Sequence, residues 1–277
     1  MARTDAPRRL IVNADDFGRS PAINEAIIRA HREGILTSAS LMVNEPAFDE
    51  AVALARQHPR LGVGLHLTLL CGHATLPPAL IPDLVNAERE FSRNPARAGL
   101  RYFAARGLRS QLREEICAQF RRFGGTGLPL DHVNGHLHTH LHPTIFRILI
   151  KNADLIGLRR IRLTRDSFWR NARLARGRWG YRLTHTVIYH LLAARARRPL
   201  RQRGIVHTRR VFGLLQDSRV DEAFLLKLLP RLPAGDSELY SHPSLDEFRH
   251  EFEALVSPRV QAAVAEQGIQ LIRYQDL

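Results

Sequence analysis

Short apolar runs alternate with helical patterns along most of the chain, and this alternation restricts the fold more than any other feature. Strands separated by helices pair in parallel, so the pattern predicts an α/β fold whose parallel sheet is either open or closed as a barrel. The predicted strands are residues 9–16, 36–44, 61–69, 130–138, 157–163 and 238–242, with 270–274 closing the set. The predicted helices are residues 21–34, 48–58, 100–123, 144–155, 181–198, 221–229, 244–256 and 258–266.

The length of the chain suits one large domain. Barrels of alternating strands and helices commonly have about 250 residues, and this chain has 277. We therefore expect a single domain over residues 1–277, with an arginine-rich helical insertion at roughly residues 164–210.

Two cysteines cannot form a disulfide framework, and no stretch has the pattern of a signal peptide or a membrane span. These features predict a cytoplasmic protein with free thiols.

Polar side chains stand at the carboxyl ends of four predicted strands: Asp15 and Asp16, then His66, His136 and His242. In a parallel α/β fold these ends meet at one rim, so the side chains are expected to be neighbours. One carboxylate and two imidazoles bind a divalent cation and leave positions open for water and substrate. The carboxylate favours Mg²⁺ and the imidazoles favour Zn²⁺, so one divalent ion of either kind is expected.

Five histidines lie between residues 131 and 143. In an extended strand, residues two apart project to one side, so this pattern predicts one shared face for His136, His138, His140 and His142. The alternative is that the last three are partly solvated loop residues. His66 could equally be a hydrogen-bonded core histidine, and the two aspartates could serve only a turn and a helix start at Ser20-Pro21.

The formal charge of +14 is concentrated in one region. Residues 158–210 contain 16 arginines and one acidic residue, Asp166, whereas the rest of the chain is close to neutral. A solvated insertion is one interpretation. The other is contact with an anionic membrane, because a helix at 181–198 would carry apolar residues beside the arginines. The apolar residues are Leu183, Val187, Ile188, Leu191 and Leu192. Aromatic residues are scattered through this region, which argues against nucleic acid as a partner.

Four motifs, in order along the chain, resemble those of the YdjC-like carbohydrate deacetylases. They are Asn13-Ala14-Asp15-Asp16-Phe17-Gly18, Gly64-Leu65-His66, the stretch from His132 to Pro143, and Glu238-Leu239-Tyr240-Ser241-His242-Pro243. The resemblance implies a distorted (β/α) barrel that removes an N-acetyl group from an acetylated amino sugar with a metal ion. Within the family the chain is most similar to the hopanoid-biosynthesis-associated members, which implies an N-acetylglucosaminyl hopanoid lipid as substrate and a peripheral position at the inner face of the membrane.

The resemblance also implies roles for individual residues. Asp16, His66 and His136 would bind the metal, Asp15 would be the catalytic base, and His242 would supply the acid. Family members have an aspartate two residues before the ligand histidine, where this chain has Asn134. Candidates for substrate contact or for support of the ligands are Asn44, Asn134, His138, His140 and Glu238. Candidates for contact with an anionic surface are Arg173, Arg176, Arg178 and Arg182.

Two other classes of function fit the same residues. The rim of carboxylates and imidazoles could serve a metal-dependent phosphoesterase or glycosidase, in which Asp15 and Asp16 act on a different bond. The chain could also be a binding module without catalysis, with arginines that hold nucleic acid or lipid and histidines that store metal. Such a module would lose affinity steeply with salt and would show no metal-dependent turnover.

Overall fold

The computed structural model describes residues 6–166, 168–174, 177–216 and 218–277, and the strands of this part of the chain form one parallel sheet. The strands are β1 (Arg8–Phe17), β2 (Ser38–Leu41), β3 (Gly62–Leu67), β4 (Val133–Gly135), β5 (Arg210–Phe212), β6 (Gly235–Ser241) and β7 (Gln270–Leu271). Their order is β4-β3-β2-β1-β6-β5, and β7 pairs with the beginning of β1. Every pairing between these strands is parallel, as the alternating sequence pattern predicts.

Helices connect the strands and cover the outside of the sheet. They are α1 (Pro21–Glu33), α2 (Phe48–Gln57), α3 (Pro95–Ala104), α4 (Leu108–Gly124), α5 (Pro143–Lys151), α6 (Phe168–Leu174), α7 (Trp179–Gln202), α8 (Glu222–Leu228), α9 (Arg249–Val256) and α10 (Pro258–Glu266). The start of α1 confirms the cap predicted from its sequence. The Ser20 hydroxyl accepts a hydrogen bond from the Ile23 amide, and Pro21 occupies the first turn.

Residues 160–165 close the sheet into a distorted barrel. The Val133 amide in β4 donates to the Arg160 carbonyl at 3.0 Å, and the Val211 amide in β5 donates to the Arg165 carbonyl at 3.0 Å. This extended segment therefore lies between the two outermost strands of the sheet and links them. The fold is the distorted (β/α) barrel that the family resemblance implies.

The central strand β1 carries the first two functional candidates. Its residues from Leu10 to Phe17 are all buried, because β2 and β6 flank the strand and helices cover it. Burial of a side chain such as Leu10 contributes about 1.5–3 kcal/mol. Asp16, at the carboxyl end, has φ of 67°, a left-handed conformation that aspartate tolerates better than most residues. The strand turns there, so Asp15 and Asp16 both reach the rim although they are consecutive.

The prediction of an extended histidine stretch was wrong. β4 ends at Gly135, and residues 136–141 form a 3₁₀ turn in which Leu137 and His138 have φ of 51° and 57°. The chain folds back tightly at Gly135, where a Cβ atom would lie 3.1 Å from the His140 amide nitrogen. Alternating histidines therefore do not share one face, and each takes a separate environment.

Two other predicted elements need correction. The helix predicted at residues 100–123 is two helices, α3 and α4, because Ala105 adopts extended backbone after α3. The segment at residues 157–163 was predicted as a strand, and its three arginines would suit an exposed edge. Its position between two strands of the barrel instead buries Arg162 completely. The helix predicted at residues 258–266 is present with those ends, and the remaining predicted elements are present with shifted ends.

Candidate metal and catalytic site

The carboxylate of Asp16 lies against two imidazoles at the carboxyl end of the barrel. Asp16 Oδ1 is 3.3 Å from His66 Nε2 and 3.1 Å from His136 Nδ1, and one ligand atom from each residue lies within 4.8 Å of the others. Arg19 donates to the second carboxylate oxygen at 2.7 Å. Burial acts to raise the pKa of Asp16, but interactions led by His136 outweigh it and hold that pKa well below its usual range.

Hydrogen bonds around Asn134 determine which nitrogen of His66 carries a proton. Asn134 Nδ2 donates to the Asp15 carboxylate at 2.9 Å, so the Asn134 carbonyl oxygen faces His66 Nδ1 at 2.7 Å. A carbonyl oxygen can only accept, so Nδ1 carries the proton and Nε2 directs a lone pair toward Asp16. A lone pair and a carboxylate oxygen repel each other unless a cation lies between them. The donor set therefore fits a divalent metal ion.

Asp15 is held by a buried arginine that the sequence analysis did not identify. Arg162 Nη1 and Nη2 donate to the two carboxylate oxygens of Asp15 at 2.6 Å and 2.9 Å. Burial acts to raise the pKa of Asp15, and the Arg162 guanidinium more than compensates, so the pKa lies well below its usual range. Asp15 is therefore ionised at any physiological pH.

The same guanidinium binds Glu238, which was a candidate for substrate contact. Arg162 Nε donates to Glu238 Oε1 at 2.8 Å, and the Tyr274 hydroxyl donates to the other oxygen. Tyr240 stacks against the guanidinium with its ring centre 4.8 Å from Arg162 Cζ. Glu238 thus lies behind Asp15 and supports it through Arg162. Two buried carboxylates on the neighbouring strands β1 and β6 require a buried cation, and Arg162 supplies it.

His242 faces the same cavity from the end of β6. Its side chain is 22% exposed, and its backbone amide donates to the carboxylate of Glu251. The nearer carboxylate oxygen of Glu251 is 4.0 Å from His242 Nδ1. Glu251 is fully buried and also accepts a hydrogen bond from the Val220 amide. It therefore joins the backbone at His242 to the backbone at Val220, a role that the sequence did not indicate.

A cavity of about 390 Å³ brings these residues together. Asp15, His66, His136 and His242 line its barrel side, and α7 lines the opposite side with Tyr181, His185 and Tyr189. The complete lining is Asp15, His66, Pro95, His136, Leu137, His138, Tyr181, His185, Tyr189, Ser218, Tyr240 and His242. Its volume lies within the range of small-molecule sites. Part of the arginine-rich insertion is therefore a wall of the candidate active site.

The remaining candidates in the histidine stretch separate into two environments. His138 lines the cavity and contacts Tyr189 and Tyr240 edge to face. His140 is buried below it and donates from Nε2 to the Arg162 carbonyl at 2.9 Å. Burial and the charge of Arg162 lower the pKa of His140 to about 3, so this imidazole is neutral. Only His138 is placed to meet a ligand in the cavity.

Asn44 and the arginine candidates lie away from this cavity. Asn44 donates to the His73 carbonyl at 3.1 Å and accepts from Thr75, which fixes the loop after β3.

Arg173 and Arg178 are exposed, as surface contact requires. The proposal for Arg182 is corrected, because its side chain is buried and donates to the Leu215 carbonyl. Arg176 lies outside the described residues.

Comparison with known proteins gives a consistent result. A family model described as YdjC-like protein matches residues 9–266. A carbohydrate deacetylase from Geobacillus stearothermophilus is 34% identical over 279 residues, which covers 98% of each chain. A chitooligosaccharide deacetylase from Serratia marcescens is 30% identical over 283 residues, covering 97% of this chain and 98% of its own. Among solved structures, a putative cellobiose-phosphate cleavage protein from Enterococcus faecalis V583 superposes with a TM-score of 0.72 at 25% identity, over 98% of this chain and 99% of its own.

Proposed function

Because the chain belongs to the YdjC-like protein family, we propose that it is a metal-dependent hydrolase that removes the N-acetyl group from an acetylated amino sugar. Relatives that match nearly the whole chain are named carbohydrate and chitooligosaccharide deacetylases, which supports this reaction. The observation that carries the proposal is one cavity that holds the Asp16–His66–His136 cluster, an ionised carboxylate at Asp15 and an imidazole at His242. Metal-assisted amide hydrolysis uses these three kinds of group.

Asp16, His66 and His136 would hold the divalent cation. When bound there, the cation supplies Lewis acidity that polarises a carbonyl and makes water more acidic. The imidazole of His66 is oriented for this by Asn134, and Arg19 holds the carboxylate of Asp16 from the other side. Support of this kind around metal ligands fixes their orientation and their protonation.

Asp15 is the residue that we assign as general base. Among the described residues, Oδ1 of Asp15 accepts hydrogen bonds from Arg162, Asn13 and Asn134, whereas Oδ2 accepts one from Arg162. A lone pair of Oδ2 can therefore take a proton from water as its oxygen adds to the acetyl carbonyl carbon. His242 then donates a proton to the amide nitrogen as the carbon–nitrogen bond breaks. The products are acetate and a free amine on the sugar.

The Asp15→Asn variant tests this assignment directly. It keeps the shape of the side chain and removes the base, so turnover is expected to fall by about 10²- to 10⁴-fold while metal binding is retained. The His136→Ala variant is the comparison, because it should lose the metal itself. The assay follows acetate and the free amine together on an N-acetylated amino sugar. An Asp15→Asn enzyme with full activity, or hydrolysis of a phosphate or glycosidic bond without acetate, would end the assignment.

We further propose that the amino sugar is attached to a lipid, with N-acetylglucosaminyl hopanoid as the substrate that the sequence resemblance implies. Helix α7 supports this, because its two faces have opposite character. Tyr181, His185 and Tyr189 face the cavity. The other face exposes a stripe of apolar residues at spacing four, each 49–63% exposed. The stripe consists of Trp179, Leu183, Val187 and Leu191, and Ile188, next to Val187 in sequence, is 48% exposed.

An anionic membrane surface is the partner that suits this helix. Apolar side chains beside arginines are typical of helices that lie in the interface, and each basic residue near the lipid surface contributes about 1 kcal/mol. A second copy of the chain is disfavoured as the partner. Residues 158–210 carry 16 arginines and one acidic residue, so this region would be repelled by the same region of another copy. The contact would be peripheral, since no helix in the described ranges is both long and apolar enough to cross a bilayer. An acceptor anchored in the membrane would then reach the cavity along α7.

Vesicle co-sedimentation tests this contact. The wild-type protein is expected to bind vesicles that contain phosphatidylglycerol, and to bind phosphatidylcholine vesicles much less. Leu183→Ser and Leu191→Ser should weaken binding, whereas Leu155→Ser is the matched control, because Leu155 is 75% exposed outside α7. Activity on a water-soluble acetylated sugar should stay unchanged in all three. Binding that is absent at low salt, or a dimer that Leu191→Ser dissociates, would contradict the membrane proposal.

The lipid itself requires a separate measurement. Mass spectrometry of glycolipids from cells that lack this protein should show a hopanoid glycolipid that retains one acetyl group. Normal glycolipids in those cells would exclude the hopanoid substrate and leave the deacetylase assignment in place.

A further inference from the structure

A serine, a histidine and an aspartate form a hydrogen-bonded chain beneath the candidate site. Ser40 Oγ is 2.9 Å from His132 Nε2, and His132 Nδ1 is 3.0 Å from Asp131 Oδ2. These contacts have the order seen in hydrolases that use a serine nucleophile. All three residues are buried, and none of them lines the cavity. The serine cannot reach a substrate, so the chain needs another explanation.

Two asparagines connect this chain to Asp15. Nδ2 of Asn13 lies 2.9 Å from both Asp15 Oδ1 and Ser40 Oγ. Nδ2 of Asn134 lies 2.9 Å from Asp15 Oδ1 and 2.8 Å from Ser40 Oγ. An amide nitrogen has two hydrogens, so each asparagine gives one to the carboxylate and one to the hydroxyl. All four amide hydrogens are thus directed at two oxygen atoms.

The direction of every hydrogen bond in the chain follows from this arrangement. A hydroxyl oxygen has two lone pairs, and the two asparagines occupy both lone pairs of Ser40. The hydroxyl proton of Ser40 must therefore point to His132 Nε2. Since Nε2 accepts, the proton of His132 lies on Nδ1 and is donated to Asp131. His132 therefore accepts at Nε2 and donates at Nδ1, which defines one tautomer.

Packing fixes the orientation of the His132 ring. It stacks on Tyr274 with ring centres 4.3 Å apart, and it also lies close to Gly64, where a Cβ atom would come within 2.5 Å of the ring. Asp131 is fixed as well, because the Gln275 amide donates to its second oxygen at 2.9 Å. The end of the chain that lies away from the metal site is therefore anchored by packing and by backbone.

We propose that Ser40, His132 and Asp131 are positioning residues that hold His66 in the tautomer with Nε2 free for a metal ion. His132 makes Ser40 an acceptor toward both asparagines. Ser40 and Asp15 together hold the Asn134 amide with its nitrogen inward, so that its oxygen faces His66 Nδ1. The inference rests on the proposed metal site and is independent of the bond that is cleaved there.

The Ser40→Ala variant tests the proposal, with Ser237→Ala as the matched control. Both serines are buried, but among the described residues the Ser237 hydroxyl has no hydrogen-bond partner. Calorimetric titration of the metal-free proteins with Zn²⁺ should show affinity about 10- to 100-fold weaker in Ser40→Ala and unchanged in Ser237→Ala. Equal Zn²⁺ affinity in Ser40→Ala and the wild type would overturn the proposal.

A spectroscopic measurement on the wild-type protein gives a second test that needs no variant. Nitrogen-15 NMR of the metal-free protein at pH 8 distinguishes the two tautomers of each neutral imidazole. His66 and His132 should both carry their proton on Nδ1, and Ser40→Ala should give a mixture at His66. A wild-type His66 with its proton on Nε2 would reject the proposal even if Ser40→Ala failed to fold. Absence of acetate release with the expected tautomers would reject the proposed reaction alone.

Discussion

The interior of the barrel and the arginine-rich helices differ in how their charged groups are stabilised. Inside the barrel, Arg162 is fully buried and binds Asp15 and Glu238. In the insertion, Arg173 and Arg178 are exposed, and the apolar stripe on α7 is exposed as well. Arg162 is paired inside the barrel, whereas the exposed face of α7 is the surface to which the membrane proposal applies.

The largest effect is expected from removal of the buried guanidinium. The Arg162→Met variant leaves two carboxylates, Asp15 and Glu238, without their cation, which should lower the free energy of unfolding by about 3–5 kcal/mol. Urea unfolding measures the change. Arg159→Met is the control, because Arg159 is exposed and pairs with Asp154 at 3.7 Å, so its loss should cost less than about 1 kcal/mol. Equal losses in the two variants would remove the distinction between the regions.

A pH-dependent loss of stability is expected from His140. Its pKa in the folded protein is about 3, below the ordinary value of 6.5, so the unfolded chain binds the proton more readily. Stability should therefore fall as the pH is lowered from about 6.5 toward 3, by up to about 1.4 kcal/mol per pH unit. Urea unfolding of the metal-free protein at pH 7.5 and pH 5 measures this. His140→Gln keeps a donor for the Arg162 carbonyl and should show a weaker pH dependence.

The exposed histidine His190 provides the control for that experiment. His190→Gln should retain the pH dependence of the wild type. If His140→Gln retains it as well, the loss of stability belongs to other groups and His140 is not held neutral by its surroundings.

The smallest effect on stability is expected on α7. Leu191 is 63% exposed, so Leu191→Ser should change the free energy of unfolding by less than about 0.5 kcal/mol. Leu10→Ala in β1 should cost about 2–5 kcal/mol, because Leu10 has no exposed surface. A large loss in Leu191→Ser would show that the stripe packs within the protein and is not free for a membrane.

The sequence predicted the parallel α/β architecture and the convergence of Asp16, His66 and His136. It could do so because alternating strands and helices place all carboxyl strand ends at one rim, whatever the distances along the chain. The end of the histidine strand was not predictable in the same way. Leu137 and His138 take left-handed backbone because the chain must fold back over Gly135, and strand periodicity carries no signal for such a turn.

Arg162 and Ser40 show the second limit of sequence reasoning. Arg162 lies in a segment with many arginines, and only its neighbours in space distinguish it from the exposed ones. Ser40 acts through hydrogen bonds to residues that are 27 and 94 positions away. Residues so far apart in sequence come into contact because the barrel closes. Asn134, which departs from the family pattern in the sequence, donates to Asp15 and accepts from His66 in the structure.

Metal dependence of acetate release tests the central claim most directly. The protein is freed of metal with a chelator, and Mg²⁺ or Zn²⁺ is added back in steps while acetate and free amine are measured on an N-acetylated amino sugar. We expect no acetate without metal, recovery that saturates near one equivalent of a tightly bound ion, and no recovery in His136→Ala. Undiminished acetate release from protein shown to be free of metal would contradict the proposed metal dependence.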